Sequence, residues 1–444
     1  MTSKRRAFVL GGGVAGLSAA FGLADRGYQV VLLESRQQCG GRAFSSDERE
    51  TGRRLDNGYH VMLGCYFGMR RLLRRLGTED GFQQDARLSM AYRFGPERRA
   101  QLRLSGLPVP LAMPLALLRL GISLGARLRA FYGMATVVLG APKQWTFADW
   151  LRRRGQLGDP DQVMWRPLCR AVMNVEPEEA SARDFLIALR EAFMGRAGSA
   201  AFWIPKRTWS ELLGDPAPRA LVAAGVVLRT GARVTGLQVV AGQVTAIQLG
   251  DEQLAIAQDD LVVSAMPWFA LRKLIDGEGV AASVAGAFAA LRSAPIVTAY
   301  FTMTGNAPPD EGPVVAFVRG EPFHFLLRTP GDPVGQFALL SGGDRSLDGK
   351  TVAEIEAIAK QQLRQFYGEG LSSALAGAHV RIRKEQHATF VADPDSEVLR
   401  PKPGRLPDGP HNLMVCGDWT ATGLPATLEG GVRSAEKLLA GLPR

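Results

Sequence analysis

The feature that most constrains this chain is a glycine-rich turn near its N-terminus. An apolar run of strand length at residues 8–10 leads into Gly11, Gly13 and Gly16, after which apolar residues recur at helical spacing. Glycines at this spacing let the backbone approach a pyrophosphate, and free amides at the helix N-terminus stabilise its negative charge. The stretch therefore predicts the Rossmann-type turn of an α/β fold that binds a dinucleotide.

The second strand of this unit supplies a candidate ribose ligand. The apolar run 30–33 ends at Glu34, about 20 residues after the turn, where a carboxylate accepts hydrogen bonds from the adenosine ribose. This acid disfavours a 2′-phosphate, which leaves NAD or FAD. A glycine-rich loop without a ligand is the alternative, but strand, turn, helix, strand and acid follow in the expected order. The residues expected to contact the dinucleotide are Gly11, Gly13, Val14, Ala15, Gly16 and Glu34.

Length and charge narrow the class of protein further. A chain of 444 residues with 46% hydrophobic content is globular and long enough for two or three domains. Its 53 basic and 43 acidic residues give a net charge of +10, which suits phosphates or a lipid surface but also an arginine-rich proteome. No basic run is interleaved with aromatic residues, so nucleic acid is not an expected partner.

The cysteines and the N-terminus concern location and metals. The four cysteines are widely separated and lack metal-ligand spacing, so we expect reduced thiols and no metal site. The sequence runs from a charged start straight into the first strand, without an apolar signal region. We therefore expect a cytoplasmic protein.

The segment 104–142 is apolar, rich in proline and punctuated by arginines. It has no uninterrupted apolar stretch of the roughly 18–20 residues that a membrane-spanning helix needs. Two interpretations stay open: a helical pair inside a substrate domain, or a segment in the interface of the inner face of the cytoplasmic membrane. The second would make the protein a peripheral membrane protein.

Periodicity predicts the remaining elements. Helices are expected at 67–77, 147–154, 163–172, 177–192 and 352–367. Strands are expected at 226–229, 232–239, 243–249, 261–265, 296–304, 314–319, 323–329, 337–341 and 379–383. A last strand ends at Gly417, and a last helix begins near Glu429.

The residues that follow Glu34 resemble those of a known superfamily. Gly40, Gly41 and Arg42 resemble the extension that follows this turn in the amine oxidase and phytoene desaturase superfamily of flavoproteins. The resemblance implies FAD, with these three residues near the flavin and its diphosphate. It also implies that a turn like D-x-G-x-H returns to the flavin, that a valine backbone meets the adenine, and that a C-terminal helix points at the flavin ring. The residues that match these positions are Asn57, Gly58, Val234, Gly417, Asp418, Glu429 and Val432.

A closer resemblance spans the whole chain. The stretches 55–66, 164–186 and 417–438 look like those of the hydroxysqualene dehydroxylases of bacterial hopanoid synthesis. The chain departs from that group at Tyr59, where glutamine is expected, and at Gly430, where a small non-glycine residue is common. The resemblance implies that a long-chain C30 isoprenoid alcohol loses an allylic hydroxyl and gains a hydride from reduced flavin, giving squalene. His60 is the candidate acid, and the electron donor to the flavin is unidentified.

Three alternatives stay open. A carotenoid desaturase of the phytoene type would share the fold and use the flavin oxidatively. A flavin amine oxidase would place two aromatic side chains beside the flavin, and Trp419 is one candidate. A prenyl-binding protein without catalysis would keep the turn without flavin.

These observations together predict an α/β fold, α+β overall, in which a discontinuous substrate domain of mixed sheet and helices interrupts the FAD-binding domain. The expected FAD-binding segments are 1–68, 206–270 and 406–444, and the expected substrate segments are 69–205 and 271–405.

Overall fold

The structure is a computed structural model that describes residues 5–107, 109–194, 198–275 and 282–443. The start of the chain at 1–4 and Pro108 of the apolar segment lie outside these ranges. The strands are β1 (Arg6–Leu10), β2 (Gln29–Leu33), β3 (Ser45–Asp47), β4 (Arg54–Asp56), β5 (Met62–Leu63), β6 (Phe82–Gln84), β7 (Ser89–Arg93), β8 (Arg99–Arg103), β9 (Phe202–Pro205), β10 (Val227–Arg229), β11 (Gly236–Val240), β12 (Gln243–Leu249), β13 (Glu252–Ala255), β14 (Leu261–Ser264), β15 (Ser293–Thr302), β16 (Val314–Phe317), β17 (Phe325–Leu327), β18 (Gln336–Gly342), β19 (His379–Phe390), β20 (Gly404–Arg405) and β21 (Leu413–Val415).

The α-helices are α1 (Val14–Ala24), α2 (Phe67–Leu76), α3 (Val109–Leu117), α4 (Leu124–Thr136), α5 (Phe147–Arg153), α6 (Arg166–Met173), α7 (Ala182–Phe193), α8 (Ala217–Ala223), α9 (Trp268–Ile275), α10 (Ala282–Ala290), α11 (Val352–Tyr367), α12 (Ser372–Ala376), α13 (Ser396–Leu399) and α14 (Leu428–Ala440). Short 3₁₀ turns lie at Glu79–Gly81, Leu118–Leu120, Val137–Leu139, Arg345–Leu347 and Glu369–Leu371, and π-helical turns at Asp161–Trp165 and Ser210–Gly214.

A six-stranded sheet in the order β10-β2-β1-β14-β21-β20 carries the glycine turn. Its first five strands are parallel, and β20 pairs antiparallel at the edge. Both faces are covered: Phe8 and Leu10 of β1 point into one core, whereas Ala7 and Val9 point into another that also holds residues of α1 and α14. Parallel strands buried on both faces read as continuous apolar runs, which is why β1 and β2 were recognisable. The α/β prediction is confirmed.

The second large sheet has seven strands, in the order β19-β15-β18-β17-β16-β7-β8. Its neighbours pair antiparallel except β16 and β7, which are parallel. The helix α11 covers one face, since Ile355 and Leu363 share a core with Phe301 and Leu339. The pattern of antiparallel strands expected between 296 and 341 is therefore present, while β7 and β8 had not been predicted.

Several predicted elements, among them the following three, begin at other residues. The strand expected at 232–239 begins only at Gly236, because 232–235 runs along a cleft. The helix expected at 177–192 begins at Ala182, where the Ser181 side chain accepts a hydrogen bond from the Asp184 amide. The helix expected at 163–172 starts with a π-helical turn before α6.

The segment boundaries stay a prediction. The helix α2 crosses the expected boundary at 68, and β20 precedes the one at 406 although it belongs to the six-stranded sheet.

Candidate active site

Two cavities meet in the interior of the molecule. A long cleft of about 490 Å³ runs along the carboxyl ends of β1, β2 and β21, and an apolar cavity of about 170 Å³ lies beside it. The residues that line both are Tyr59, Val61, Tyr66, Ala171, Val172, Phe325, Leu340 and Thr427. Ligands of open α/β sheets bind outside the carboxyl ends of the strands. We call this cleft the cofactor cleft, after the ligand expected there, and the apolar cavity opens onto it.

The glycine turn forms one wall of the cofactor cleft. Gly11 has a φ of +102°, which L side chains rarely adopt. A Cβ on Gly16 would lie 1.8 Å from the carbonyl oxygen of Gly11, so α1 packs against the strand too closely for any side chain there. Gly13, Val14 and the rest of the turn leave backbone amides at the start of α1 exposed to the cleft.

Glu34 lies at the end of β2, buried and facing the cleft. Its carboxylate accepts hydrogen bonds from the amides of Gly12 at 2.6 Å and Arg36 at 2.8 Å. Each carboxylate oxygen carries two lone pairs, so Glu34 retains acceptor capacity toward a ribose. These bonds hold the carboxylate at the mouth of the turn.

Arg42 joins the two halves of the cleft wall. Its guanidinium donates to the Asp418 carboxylate and, at 2.7 Å, to the carbonyl of Ala388. Gly40 and Gly41 precede it with φ values of +117° and +61°, and both line the cleft. A Cβ on Gly41 would lie 2.9 Å from the Cα of Gly13, so the extension and the glycine turn touch through bare backbone.

Val234 lines the cleft together with Ala232. Among the residues that the structure describes, its backbone has no hydrogen-bond partner. An unpaired amide and carbonyl beside a cleft are available to a ligand with complementary donors and acceptors.

The N-terminus of α14 faces the cleft as well. Thr427 caps the helix by accepting from the Gly430 amide at 2.9 Å, and Gly431 lines the cleft where a Cβ would lie 2.7 Å from the Val14 side chain. The partial positive charge of this helix end stabilises an anionic group placed before it.

Some of the expected site residues lie elsewhere. Gly16 packs behind the turn, against the Gly11 carbonyl. The side-chain amide of Asn57 donates at 2.8 Å to Glu385, and Glu385 itself lines the cleft. Gly58 is buried in the adjoining turn, and Val432 packs against Gly68. Each supports the cleft wall without reaching its surface.

Glu429, which was also expected near the flavin, lies beside the apolar cavity. Its carboxylate accepts from the amides of Gly68 at 3.0 Å and Met69 at 2.8 Å, and from Arg433 at 2.8 Å. It therefore caps the N-terminus of α2 and borders the apolar cavity instead of the cofactor cleft.

His60 lies in the cofactor cleft and is not among the residues that line the apolar cavity. Burial, with the nearby Arg42 charge, lowers its pKa to about 4. Its ring also meets Trp209 edge-on, with centroids 5.9 Å apart. The imidazole is thus neutral near pH 7, which argues against its acting as a protonated general acid.

Sequence reasoning missed several residues of the site. Thr427 had a usable signal, because threonine is a preferred residue at a helix N-cap. Tyr66 ends the stretch 55–66 that carried a resemblance, but nothing in that stretch shows that it borders both cavities. Glu385 had no local signal, since only the pairing of β19 with β15 places it at the cleft.

The apolar cavity is walled by aliphatic and aromatic side chains from α6, α7 and the seven-stranded sheet, among them Leu168, Leu189, Phe193 and Phe325. The thiol of Cys65 also faces it, and burial raises the pKa of this thiol to about 12. The cavity therefore offers a mostly apolar surface to a hydrocarbon.

The hydrogen-bonding groups of the cofactor cleft fit a dinucleotide. A bare-backbone turn at a helix N-terminus suits a diphosphate, Glu34 suits a ribose, and the unpaired Val234 backbone suits a base. Among the described residues, no helix is both long and apolar enough to span a bilayer.

Comparison with known proteins places this geometry in a family. Residues 14–437 match the family described as flavin containing amine oxidoreductase. The chain is 31% identical to a hydroxysqualene dehydroxylase of Rhodopseudomonas palustris, over 97% of this chain and 96% of that one. It is 24% identical to a 15-cis-phytoene desaturase of Synechococcus elongatus, over 97% and 94% respectively.

A solved oxidoreductase from Methanosarcina mazei shares the fold, with a TM-score of 0.74 and 15% identity over 98% of this chain and 100% of that one. The chain therefore belongs to the flavin-containing amine oxidoreductase family, as a flavin-dependent oxidoreductase that groups with the hydroxysqualene dehydroxylases.

Proposed function

We propose that this enzyme uses FAD to remove the hydroxyl group of hydroxysqualene reductively, giving squalene for hopanoid synthesis. The observation that carries the proposal is the apolar cavity that opens onto the cofactor cleft. The near full-length similarity to a hydroxysqualene dehydroxylase supports the choice of substrate. The electron donor to the flavin is unidentified.

We propose that the cofactor is FAD in particular, because the cleft has room and ligands for an adenosine half as well as a flavin. Glu34 would accept from the ribose, the amides of the glycine turn would hold the diphosphate, and Val234 would meet the adenine. Arg42 and Asp418 would border the diphosphate and ribityl chain. The residues proposed to contact FAD are Gly11, Gly13, Val14, Ala15, Glu34, Gly40, Gly41, Arg42, Val234, Gly417 and Asp418.

The protein's own contribution is exclusion of water and placement of the substrate. When bound, reduced FAD (FADH2) would supply the hydride that replaces the hydroxyl and the proton with which that hydroxyl leaves as water, so that R–OH and FADH2 give R–H, H2O and FAD. The apolar walls around Leu189 and Phe325 keep water from the allylic cation that forms when the C–O bond breaks. The end of α14, with Thr427 at its cap, lies where the two cavities meet.

His60 enters this proposal in a restricted role. Because its pKa is lowered to about 4, the ring is neutral and carries a single N–H. We propose that His60 is a hydrogen-bonding group in the part of the cleft that holds the cofactor. In this proposal it does not deliver the proton to the leaving hydroxyl.

An anaerobic single-turnover experiment tests the proposal. The purified flavoprotein is reduced with dithionite, hydroxysqualene is added, and flavin reoxidation is followed together with squalene by mass spectrometry. Squalene in an amount equal to the reoxidised flavin is the expected result. A normal flavin spectrum without squalene would overturn the proposed reaction.

A phytoene-type desaturase is the second candidate, favoured by similarity to a phytoene desaturase over 97% of this chain. It would oxidise phytoene with the flavin as acceptor, so an assay with oxidised enzyme and phytoene separates the two. For an amine oxidase, the described part of the cleft offers Trp419, which donates from its indole to the Met266 carbonyl at 3.0 Å. A non-catalytic prenyl carrier would purify without flavin colour.

We also propose that the protein works at the inner face of the cytoplasmic membrane. An apolar stripe is exposed on α4 and its neighbours, and we call it the α3–α4 face; it consists of Leu115, Leu118, Leu124, Leu128, Phe131, Tyr132, Val138 and Leu139. The side chains at 124, 128, 131 and 138 recur at helical spacing and face outward, with between 40% and 66% of their surface exposed.

Arginines border this face at positions 119 and 129, both exposed. An exposed apolar helix face beside cationic side chains fits the interface of an anionic lipid surface. An isoprenoid substrate is itself a membrane component, so such contact would bring the enzyme to it.

A further inference from the structure

An alcohol substrate must place one polar atom in the apolar cavity, so the polar groups that face this cavity decide how the alcohol is bound. The polar side chains of its wall are Tyr59, Cys65, Tyr66, Glu191, Thr427 and Glu429. A hydroxyl transferred from water into an apolar cavity needs a hydrogen-bond partner there.

The two carboxylates of the wall are already committed. Glu191 forms an ion pair with Arg433 at 2.7 Å. Glu429 accepts from the same arginine and from two amides at the start of α2. Both carboxylates therefore lie in one hydrogen-bonded cluster with Arg433 at the cavity wall, and neither offers a proton donor.

The other donors differ in what they already bond. The phenol of Tyr59 shares a hydrogen bond of 3.3 Å with the Thr329 hydroxyl, at the end of β17. The thiol of Cys65 is a weak donor. Tyr66, like Tyr59, is half-buried and lines both cavities. The difference is that, among the described residues, the Tyr66 phenol is not held by a hydrogen bond such as the one between Tyr59 and Thr329.

The surroundings of Tyr66 keep its phenol protonated. Thr427 lines the same junction and accepts a hydrogen bond from the Gly430 amide at 2.9 Å, and it acts on the phenol in the direction that lowers its pKa. The net effect of burial, the largest influence, still raises the pKa of Tyr66, so the phenol keeps its proton. The protonated phenol is therefore a hydrogen-bond donor at the junction of the two cavities.

We propose that Tyr66 is the residue that recognises the substrate hydroxyl, by donating a hydrogen bond to it at the junction of the apolar cavity and the cofactor cleft. This inference rests on the proposed function, since it assumes an alcohol substrate. It assigns to Tyr66 the discrimination between a hydroxylated isoprenoid and the hydrocarbon product, which lacks any acceptor for the phenol. The bond would also place the carbinol carbon beside the end of α14.

Ligand titration of the oxidised flavoprotein tests this inference without turnover. Hydroxysqualene and squalene, each delivered from cyclodextrin, are titrated against wild type, Tyr66→Phe and the matched variant Tyr59→Phe, with binding read from the flavin absorbance spectrum. Wild type should prefer the alcohol by about threefold to tenfold, the worth of one net hydrogen bond. Tyr66→Phe should lose this preference while binding squalene as before, and Tyr59→Phe should keep it.

The ketone analogue of hydroxysqualene, in which a carbonyl replaces the carbinol, gives a second test on the wild type alone. Its oxygen accepts but cannot donate, so a donating Tyr66 should bind it about as well as the alcohol. A preference that persists in Tyr66→Phe, or a ketone that binds no better than squalene, would overturn the role of Tyr66 and leave the proposed reaction standing. Wild type that binds neither isoprenoid would overturn both.

Discussion

Arg42 and Asp418 form an ion pair across 376 positions of the sequence. The first residue follows the glycine turn and the second ends β21, so the pair ties the first and last motifs of the chain into one cleft wall. Asp418 is only 7% exposed, and a carboxylate with so little solvent depends on its partner.

A double-mutant cycle should detect this dependence. Arg42→Met leaves the Asp418 carboxylate without its cation, and we expect the free energy of unfolding to fall by about 1–3 kcal/mol. Adding Asp418→Asn should recover part of the loss, because no unpaired charge remains. Urea unfolding of the flavoprotein measures both. The exposed pair Arg75 and Asp25 is the control, with an expected coupling of about 0–1 kcal/mol; equal coupling in the two cycles would contradict the prediction.

A second prediction concerns the closest backbone contact in the turn. Gly16→Ala would bring a methyl group to 1.8 Å from the Gly11 carbonyl oxygen, a position that only backbone movement can relieve. We expect a loss of about 1–3 kcal/mol in unfolding free energy and weaker retention of flavin. Gly125→Ala in α4 is the matched control, since a Cβ there has nothing within 4 Å. Unchanged flavin content in Gly16→Ala would show that the turn tolerates the movement.

The glycine turn also shows what the sequence could predict. β1, the turn, α1, β2 and Glu34 follow one another within the first 34 residues, so local periodicity and spacing were enough to identify them. The strand β8 was missed because it lies at the edge of the second sheet, where Arg99 and Arg103 are exposed and the apolar alternation is weak. The strand β7, beside it, was missed because its short apolar run ends in Arg93, which is buried in the structure.

Contacts made across the chain could not be predicted in this way. Glu429 lies in a motif whose role in the family suggested contact with the flavin. Its carboxylate instead caps α2, where it accepts from the amide of Gly68, 361 positions earlier in the sequence. Nothing in the letters around Glu429 distinguishes the two roles, because the partner amides are fixed only when α2 and α14 pack. The same holds for Asn57 and Glu385, which are joined only by the fold.

Asp56 gives a pH-dependent prediction. Its carboxylate accepts from Ser45 at 2.6 Å and from the Trp209 amide at 2.9 Å, but burial outweighs these bonds and raises its pKa to about 6. An acid whose pKa is raised in the folded state favours folding when protonated. Its contribution is therefore present at low pH and is lost as pH rises through 6.

Asp56→Asn should remove this dependence, since an amide oxygen can accept the same two bonds without a charge. Between pH 5 and pH 8 the variant should gain on the order of 1 kcal/mol relative to wild type. Thermal unfolding at both pH values measures the difference. A gap that stays constant with pH would mean that Asp56 does not titrate in this range.

His60 gives the opposite kind of prediction, an absence of pH dependence. With its pKa lowered to about 4, the ring stays neutral from pH 6 to pH 8 and contributes no ionisation there. The pH profiles of kcat and kcat/KM for His60→Gln should therefore parallel those of wild type over this range. His387→Gln, which alters another histidine of the cleft wall, is the control. A wild-type ionisation near pH 6–7 that disappears only in His60→Gln would restore His60 as the acid.

The α3–α4 face supports a prediction about membranes. Leu128 and Leu139 are 62% and 67% exposed, and burying such side chains in a lipid interface is favourable by up to about 1.5–3 kcal/mol each. Replacing both with serine should weaken sedimentation with anionic liposomes at least about tenfold at low salt, without changing the thermal stability.

Replacing Val222 and Val398 with serine is the control. It removes exposed apolar side chains from outside this face, at 70% and 77% exposure, and should leave binding unchanged. Added salt should weaken wild-type binding in turn, because the arginines at 119 and 129 act through charge. Equal loss in both double variants would mean that general surface hydrophobicity, and not this face, holds the protein on lipid.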